Sequence, residues 1–389
     1  MKVAIIHYWL VGMRGGERVL EAFCKMFPEA DIFTHVVIPE ELSPTLKRHR
    51  IRTTFINKLP RAKHWYNHYL PLMPLALEQI DLRGYDLVIS SESGPAKGVI
   101  TEPDALHLCY CHSPMRYLWD QYFRYMEGRG LFTKLVMQLS FHYLRLWDVA
   151  SSARVESFAA NSAYVAQRIQ QYWNRDSEVI HPPVDIGRFQ VTPEHDGYYL
   201  WVGKVVRYKA PDLLVKAFNE NGKPLIVVGD GEVVHELKKL AQPNIQFVGA
   251  CDDEATTRYL ERCRALVFPG AEDFGIVPVE AMACGKPVIA YGRGGATETV
   301  LDGVTGLFFN RPTVAALNEA IEDFEAGEDM FDPKTIRRHA ENFSEAVFQF
   351  KMHEFIHRAM NLKFNRDRDR DSSWVPNRKR ARFSKTASF

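Results

Sequence analysis

Short apolar runs alternate with longer amphipathic stretches along most of the chain. In the first half, KVAIIHY precedes the helical pattern MRGGERVLEAFCKMF, and YDLVISS and ALHLCYCH precede aromatic helical text from about Tyr117 to Ser152. In the second half, helical patterns such as that from Pro211 to Asn219 separate the runs YYLWVGK, PLIVVGD, IQFVGA, ALVFPG and PVIAYG. Such alternation predicts a parallel sheet, and strands that are apolar throughout predict a sheet covered on both faces.

This alternation is interrupted by VIHPPVDIGRF, from Val179 to Phe189, where two consecutive prolines exclude a helix or a central strand. We therefore predict an α/β protein with two doubly wound, Rossmann-like domains that face a cleft. The predicted limits are 1–185 for the first domain, 186–342 for the second, 343–363 for a C-terminal helix and 364–389 for a disordered tail. The tail is predicted because its sequence is charged, polar and aperiodic.

The composition argues against a nucleic-acid-binding protein, a metal-binding protein and a protein that spans a membrane. The net charge of +1 over 389 residues gives no overall field that would attract nucleic acid, and none is expected as a partner. The six cysteines include no C-x-x-C pair, which predicts reduced thiols and no metal site. No apolar run approaches the roughly 20 residues of a membrane span. These features predict a cytoplasmic protein.

The segment FPGAEDFGIVPVEAMACGKPVIA carries two glutamates, Glu272 and Glu280. Glu272 follows a predicted strand, which is where α/β sheets hold ligands, and Gly275 permits close approach to the backbone. A carboxylate accepts hydrogen bonds, as the hydroxyls of a sugar require. Glu280 falls in the predicted first turn of a helix that contains Pro278. There it has an alternative role, since a carboxylate at that position stabilises the helix dipole by about 0.3–1 kcal/mol.

Three glycine-containing turns follow predicted strands, and their free N–H groups favour an anion. These turns contain Gly15 and Gly16, Gly229, and Gly294 and Gly295. A cationic cluster of Lys204, Arg207 and Lys209 follows another strand. Together with the carboxylates, these features predict a site for a nucleotide-sugar. The glycine spacing matches neither the dinucleotide fingerprint nor a Walker loop.

The second half resembles the family 4 retaining glycosyltransferases of the GT-B fold. The resemblance rests on VGKVVRYKAPDLLVKAF, IVVGDGE, the pair Glu272 and Glu280, and GGATETVLDGVTGLFF. The first half resembles bacterial O-antigen and capsule mannosyltransferases in GGERVLEAF, CYCHSPMRYLWD, FAANSAYVAQRI and HPPVDIGRF. The resemblance implies a hexosyltransferase of bacterial surface polysaccharide and lipopolysaccharide synthesis. Its donor would be GDP-mannose and its acceptor a glycan or polyprenyl-linked sugar, without a metal or cofactor. The C-terminal helix would pack back on the first, acceptor-side domain.

The same resemblance implies roles for individual residues. Glu272 would hold the donor hexose, Glu280 the ribose hydroxyls, and Lys209 the diphosphate, with help from Lys204 or Arg207. The family usually has arginine where Lys204 stands, so which of these two contacts phosphate stays open. His112 would contact the donor sugar from the opposite domain, and Gly15 and Gly16 would border the phosphates. The other implied donor contacts are Asp273, Phe274, Gly275, Gly229, Gly294 and Gly295.

Residues 44–77 contain no acidic residue but seven lysines and arginines, together with tryptophan and tyrosine. Each basic residue near anionic lipid contributes about 1 kcal/mol, so this segment predicts a peripheral membrane contact. A solvated basic surface over core aromatics explains the pattern equally well. Two other functions also stay open, namely a nucleotide-sugar epimerase of the same two-lobed fold and a catalytically silent membrane scaffold. His7, His35 and His107 are predicted to be core histidines with satisfied hydrogen bonds.

Overall fold

The computed structural model describes residues 1–373 and contains two fully parallel sheets. The first sheet consists of β1 (Val3–His7), β2 (Asp31–Thr34), β3 (Ile51–Thr53), β4 (Leu87–Glu92), β5 (Leu106–Cys111), β6 (Ser157–Ala160) and β7 (Ser177–Val179). The second consists of β8 (Tyr199–Val202), β9 (Leu225–Val228), β10 (Ile245–Gly249), β11 (Ala265–Phe268), β12 (Val288–Tyr291) and β13 (Gly306–Phe309). The two-sheet α/β fold predicted from the alternating pattern is confirmed.

Both sheets change direction at one point in their strand order. The orders are β3-β2-β1-β4-β5-β6-β7 and β10-β9-β8-β11-β12-β13. The chain moves outward from β1 or β8 and then returns to the other side of that strand. A switch point therefore lies between β1 and β4 in the first sheet and between β8 and β11 in the second. Ligands of open parallel sheets bind outside the carboxyl ends of the strands at such points.

Helices cover both sheets. In the first half they are α1 (Gly15–Met26), α2 (Pro44–Lys47), α3 (Ala62–Trp65), α4 (Met73–Glu78), α5 (Tyr122–Met126), α6 (Leu131–Ser152) and α7 (Ala163–Trp173). In the second they are α8 (Pro211–Asn221), α9 (Val234–Leu240), α10 (Asp253–Arg262), α11 (Ile276–Ala283), α12 (Ala296–Thr299), α13 (Val314–Ala326), α14 (Pro333–Ala340) and α15 (Glu345–Ser373). The helical text predicted from Tyr117 to Ser152 is divided into α5 and α6, because Gly128 has a φ of +71° that ends the first helix.

The C-terminal helix returns to the first half, as predicted. Phe348, Met352 and Phe355 of α15 are buried in the same core cluster as Leu108 and Tyr110 of β5. The helix is longer than predicted, because it continues to Ser373 instead of ending at residue 363. That part of the predicted disordered tail is therefore wrong, and residues 374–389 lie outside the described residues. The domain limits at 185 and 342 stay predictions. Within residues 1–373, no helix has the length and apolarity that crossing a bilayer requires.

Two of the three predicted core histidines are fully satisfied. His35 contacts the Thr54 hydroxyl at 3.1 Å and the Pro95 carbonyl at 3.2 Å. His107 contacts the Ser90 hydroxyl at 2.7 Å and the Arg154 carbonyl at 3.2 Å. Burial lowers the pKa of each from 6.5 to about 4, so both are neutral at pH 7.

Because the pKa values of His35 and His107 are lowered, we expect the protein to lose stability in mild acid. Because their pKa is lowered on folding, their contribution is complete above pH 6.5 and is lost as the pH falls towards 4. We expect the free energy of unfolding to drop by up to roughly 1.4 kcal/mol per pH unit for each histidine. Urea unfolding at several pH values measures this, and His35→Gln reduces the slope whereas His64→Gln, at an exposed site, does not. A stability unchanged between neutral pH and mild acid would contradict the prediction.

Candidate active site

The switch point of the second sheet brings Lys209 and Glu272 together. Lys209 closes the short 3₁₀ turn after β8, and Glu272 lies in the loop after β11. The Lys209 Nζ lies 2.9 Å from the Glu272 Oε2, and both side chains are largely buried. Burial is the largest single influence and would lower the pKa of Lys209, but Glu272 and Tyr208 together raise that pKa above its ordinary value. The site therefore holds a fixed ammonium and a carboxylate at the edge where ligands bind.

A chain of buried polar groups forms the opposite wall, at the switch point of the first sheet. His112 follows β5, and its Nε2 lies 2.8 Å from the hydroxyl of Ser91 at the end of β4. The same hydroxyl lies 3.0 Å from the Nδ1 of His7, the last residue of β1. Burial, with the neighbouring His7, lowers the pKa of His112 to about 3. His112 is thus a neutral imidazole.

The prediction for His7 needs a correction. Its Nε2 is buried without a hydrogen-bond partner and lies 3.9 Å from the Glu17 Oε1. His7 is therefore only half satisfied. It belongs to the polar group behind His112, because β1 and β4 are neighbours and place His7 level with Ser91.

The two walls approach each other at the glycine turn that opens α1. A Cβ added to Gly15 would lie 2.8 Å from the Cδ1 of Ile276, the first residue of α11. The atom it would meet is the terminal methyl of the Ile276 side chain, so glycine permits the two helix starts to approach without displacing that methyl. Gly16 packs in the same way against the hydroxyl of Tyr8. The predicted strand-to-helix turn is present, because α1 begins at Gly15, and its role towards phosphates stays a prediction.

Ion pairs also join the two halves at the loop that carries Glu272. The carboxylate of Asp273 accepts hydrogen bonds from Arg116 at 2.5 Å and from Arg168 at 3.0 Å. Its carbonyl accepts a hydrogen bond from the Ser162 hydroxyl at 2.6 Å. Arg116, Arg168 and Ser162 all belong to the first half. Because Arg116 follows His112 by four residues, this contact brings the two predicted catalytic segments to one cleft.

Two family models match the chain in succession. The model described as Glycosyltransferase Family 4 matches residues 13–188, and that described as Glycosyl transferases group 1 matches residues 186–346. The chain belongs to the family 4 glycosyltransferases. The family suggested by the sequence motifs is thereby confirmed.

Several curated relatives of this glycosyltransferase carry the name mannosyltransferase. The α-1,3/1,6-mannosyltransferase alg-2 of Neurospora crassa is 28% identical over 51% of this chain and 52% of its own length. The O-antigen chain mannosyltransferase C of Escherichia coli is 27% identical over 50% and 52%. A GDP-mannose-dependent phosphatidylinositol monomannoside mannosyltransferase of Mycolicibacterium smegmatis is 29% identical over 45% and 54%. The chain spans about half the length of the curated relatives it matches.

A solved structure extends the likeness to the whole fold. Anabaena HepE, in complex with UDP and glucose, superposes with a TM-score of 0.68 at 17% identity, covering 92% of this chain and 99% of its own. At this identity the likeness establishes the fold alone. It confirms the predicted GT-B arrangement of two Rossmann-like halves.

Glu280 lies at a different position in its helix from the one predicted. The helix α11 begins at Ile276, so Glu280 lies in its second turn and not in the first. The predicted alternative, a stabilised helix dipole, is wrong, because that effect falls off beyond the first turn. Instead the Glu280 Oε1 accepts a hydrogen bond from Arg188 at 2.7 Å. Burial raises the pKa of Glu280, and Arg188 opposes the rise. Its role towards ribose stays a prediction.

Two glycines of the predicted anion-binding turns have no free N–H group. The N–H of Gly229 donates to the Gly249 carbonyl at 2.7 Å, and that of Gly295 donates to the Glu272 carbonyl at 2.9 Å. The expectation of free N–H groups at these two glycines is wrong, since each donor already has an acceptor, and their contact with the donor stays a prediction. Gly229 is instead required for close packing, because a Cβ there would lie 1.9 Å from the Gly203 carbonyl oxygen. Gly294, with a φ of +74°, likewise packs against the Glu272 backbone.

The cationic cluster is only partly brought to the site. Lys209 meets Glu272, whereas the guanidinium of Arg207 lies 2.8 Å from Glu236 of α9 on the exposed side. Lys204 is also exposed. The structure therefore places one of the three predicted cations beside the carboxylate. Arg207 and Lys209 separate because the 3₁₀ turn that contains both directs their side chains to different sides, and Lys204 precedes that turn.

The loop after Glu272 also differs from its predicted role. Phe274 is buried in the core of the second half, with its ring 5.4 Å from that of His181 and 5.8 Å from that of Phe343. The side chain of Phe274 therefore packs in the core, and the predicted donor contact of this residue, which rests on its backbone N–H, stays a prediction. Asp273 is committed to the arginines of the first half. Gly275 begins α11 with a φ of +86°, as its position at a strand-to-helix turn predicted.

Sequence reasoning missed the arginines that hold the site together. Arg168 lies between Val165 and Ile169 on the buried face of α7, and its side chain is 5% exposed. A charged residue at a buried helical position was a signal that it has a partner. For Arg116, in a turn, and Arg188, at the end of the 3₁₀ helix Ile186–Arg188, the sequence carried no comparable signal, since neither segment is long enough to show a periodic pattern.

Proposed function

We propose that this protein transfers a hexose, mannose from GDP-mannose, to a glycan acceptor with retention of the anomeric configuration. One observation carries the proposal. Lys209 and Glu272 form a largely buried pair at the carboxyl ends of β8 and β11, next to Asp273, whose ion pair with Arg116 joins this loop to the segment of His112. The pair supplies a cation for a leaving diphosphate beside an acceptor of hydroxyl hydrogen bonds.

The proposed reaction exchanges one bond at the anomeric carbon. The bond from that carbon to the diphosphate oxygen breaks, and the acceptor hydroxyl oxygen bonds to the carbon on the same face. The hydroxyl proton passes to the departing diphosphate. Negative charge grows on the diphosphate, where Lys209 stabilises it as a preorganised cation. Glu272 orients the hexose hydroxyls, and neutral His112 contacts the sugar from the opposite wall.

The choice of mannose rests on the relatives. Three of them are named mannosyltransferases, and one of these names specifies GDP-mannose. HepE, in contrast, was solved with UDP and glucose. Thermal shift with GDP, UDP and ADP therefore identifies the base first, because a bound nucleotide stabilises the folded protein by RT ln(1 + [L]/Kd).

A transfer assay with NMR analysis of the product tests the reaction itself. We expect an α-linked mannose from the α-linked donor. A β-linked product would contradict retention, and conversion of the donor without an acceptor would favour the epimerase. No observation on this chain favours either the epimerase or a silent scaffold.

The acceptor we propose is lipid-linked, in bacterial surface polysaccharide synthesis. The basic segment 44–77 of the first half supports contact with the anionic inner face of the membrane. Trp65 and Leu72 of this segment are 46% and 41% exposed, and Arg61 stacks on the Trp65 ring at 4.8 Å. Aromatic and basic side chains exposed together are typical of a membrane interface.

A further inference from the structure

The helix α6 leaves most of one side apolar and uncovered. It comprises 22 residues, from Leu131 to Ser152, which corresponds to a length of about 33 Å. The exposed apolar residues, here called the α6 face, are Leu131, Phe132, Leu135, Val136, Leu139, Tyr143, Leu146 and Val149. Leu131 is 88% exposed, Phe132 80% and Leu139 67%.

The spacing of these residues makes the face continuous. Leu131, Leu135 and Leu139 follow one another every four residues, and Leu146 comes seven residues later, so that all four lie on one side of the helix. Phe141 and Leu144 lie on the other side, buried in the core of the first half. The core thus fixes the rotation of α6 and keeps its apolar side outward. Soluble monomers rarely expose an apolar patch of this extent without a binding role.

The surrounding charges identify what covers this face. The only acidic residue of α6 is Asp148, which is fully buried and paired with Lys97. The helix carries Lys134 and Arg145, and the loop before it carries Arg129 and the exposed Glu127. A helix that exposes an apolar face, carries two basic residues and exposes no acidic residue of its own complements an anionic lipid surface.

The neighbouring elements extend the same surface. α6 packs on the turn 66–72, and Leu70 of that turn and Met73 of α4 belong to the same core cluster as the buried side of α6. Leu72 and Leu75 of these elements are themselves exposed. Both belong to the acid-free segment 44–77, so two independent stretches of chain bring apolar and basic groups to adjoining surfaces.

We propose that the α6 face inserts into the boundary between headgroups and acyl chains of an anionic bilayer and lies parallel to it. This deepens the proposed function and rests on it for the lipid-linked acceptor. It also makes α6 the element that inserts, with the basic segment 44–77 as its electrostatic neighbour. Because Phe141 and Leu144 hold the other side of the helix, α6 lies on the membrane and does not cross it.

Vesicle sedimentation tests the proposal. The purified full chain is mixed with vesicles of phosphatidylcholine and phosphatidylglycerol in equal parts, at low and at high salt. We expect the wild type to sediment and to retain part of its binding at high salt, because apolar insertion is not screened. The affinity of the double variant Leu135→Glu/Leu139→Glu for these vesicles should be lower than that of the wild type by about tenfold or more. The control is Met330→Glu, which also places a glutamate at an exposed apolar residue, 73% exposed, but in the second half of the chain. This variant should bind vesicles as the wild type does.

Three results would overturn it: absent binding by the wild type, loss of all wild-type binding at high salt, or unchanged binding by the double variant. A second copy of the chain is the competing occupant. In that case sedimentation velocity would show a dimer that Leu135→Glu/Leu139→Glu dissociates, with vesicle binding unaffected. Nucleotide thermal shifts measured without vesicles keep the two proposals apart. If no nucleotide shifts the melting temperature while vesicle binding is intact, the result would count against glycosyl transfer and would not affect the proposal that the α6 face binds membranes.

Discussion

Replacing Lys209 by alanine should lower kcat by about 10²–10³, the usual cost of one preorganised donor to a developing negative charge. Lys209 is the cation that the fold brings to Glu272, with 2.9 Å between Nζ and Oε2. Its loss leaves the departing diphosphate without that charge beside Glu272. The measurement is steady-state transfer of the hexose from the donor that the thermal-shift screen identifies. We expect KM to change less than kcat, since the effect grows as the bond to the diphosphate breaks.

The matched control is Lys204→Ala. Lys204 lies five residues away on the same connection but is exposed, so its loss should change kcat by less than about tenfold. Equal losses from the two variants would show that the cleft rearranges and that the pair at the switch point does not define the site. Unfolding curves of both variants confirm that the fold is intact.

Replacing Lys97 by methionine should destabilise the fold by about 3–5 kcal/mol, the cost of removing one partner from a buried ion pair. Lys97 has no exposed side-chain surface and lies between Glu92, at 3.5 Å, and Asp148. The other carboxylate oxygen of Asp148 accepts hydrogen bonds from the indole N–H groups of Trp119 at 2.9 Å and Trp173 at 2.8 Å. Methionine keeps the volume of the side chain but leaves two carboxylates without their cation.

Urea unfolding at neutral pH measures this loss, with Lys216→Met as the control. Lys216 is 61% exposed and makes only a surface pair with Asp212, so its replacement should change stability by less than about 0.5 kcal/mol. A loss below about 1 kcal/mol for Lys97→Met would mean that Glu92 takes up a proton and removes the unpaired charge. Burial already raises the pKa of Glu92 to about 7, in spite of Lys97. Acidic pH should therefore lessen the loss, and repeating the measurement there distinguishes the two cases.

The fold was predictable because its pattern is local. Strands such as β4, β5 and β11 are buried at every position, and a sheet covered on both faces imposes that apolar run directly on the sequence. Glu272 was found for the same reason, because the residue after such a strand lies at the ligand edge of the sheet. The break between α5 and α6 was missed, although Gly128 marks it, because aromatic residues continue on both sides.

The roles of residues that depend on a contact with a distant part of the chain were harder to predict from the sequence. Lys204, Arg207 and Lys209 looked equivalent, yet one meets Glu272 and another meets Glu236. Arg168 meets Asp273 over a separation of 105 residues, which no local pattern reports. The N–H groups of Gly229 and Gly295 looked free for the same reason, since their acceptors lie on other elements.

The sequence by itself determined the order of strands and helices, the two-sheet architecture and the edge at which the site lies. These follow from periodicity and from the position of residues at the ends of apolar runs. The tertiary structure alone decided which charges pair, which donors are already taken and which side of α6 stays uncovered. The physical reason is that burial leaves a periodic trace along the chain, whereas pairing depends on distances between atoms that only the folded backbone brings within reach.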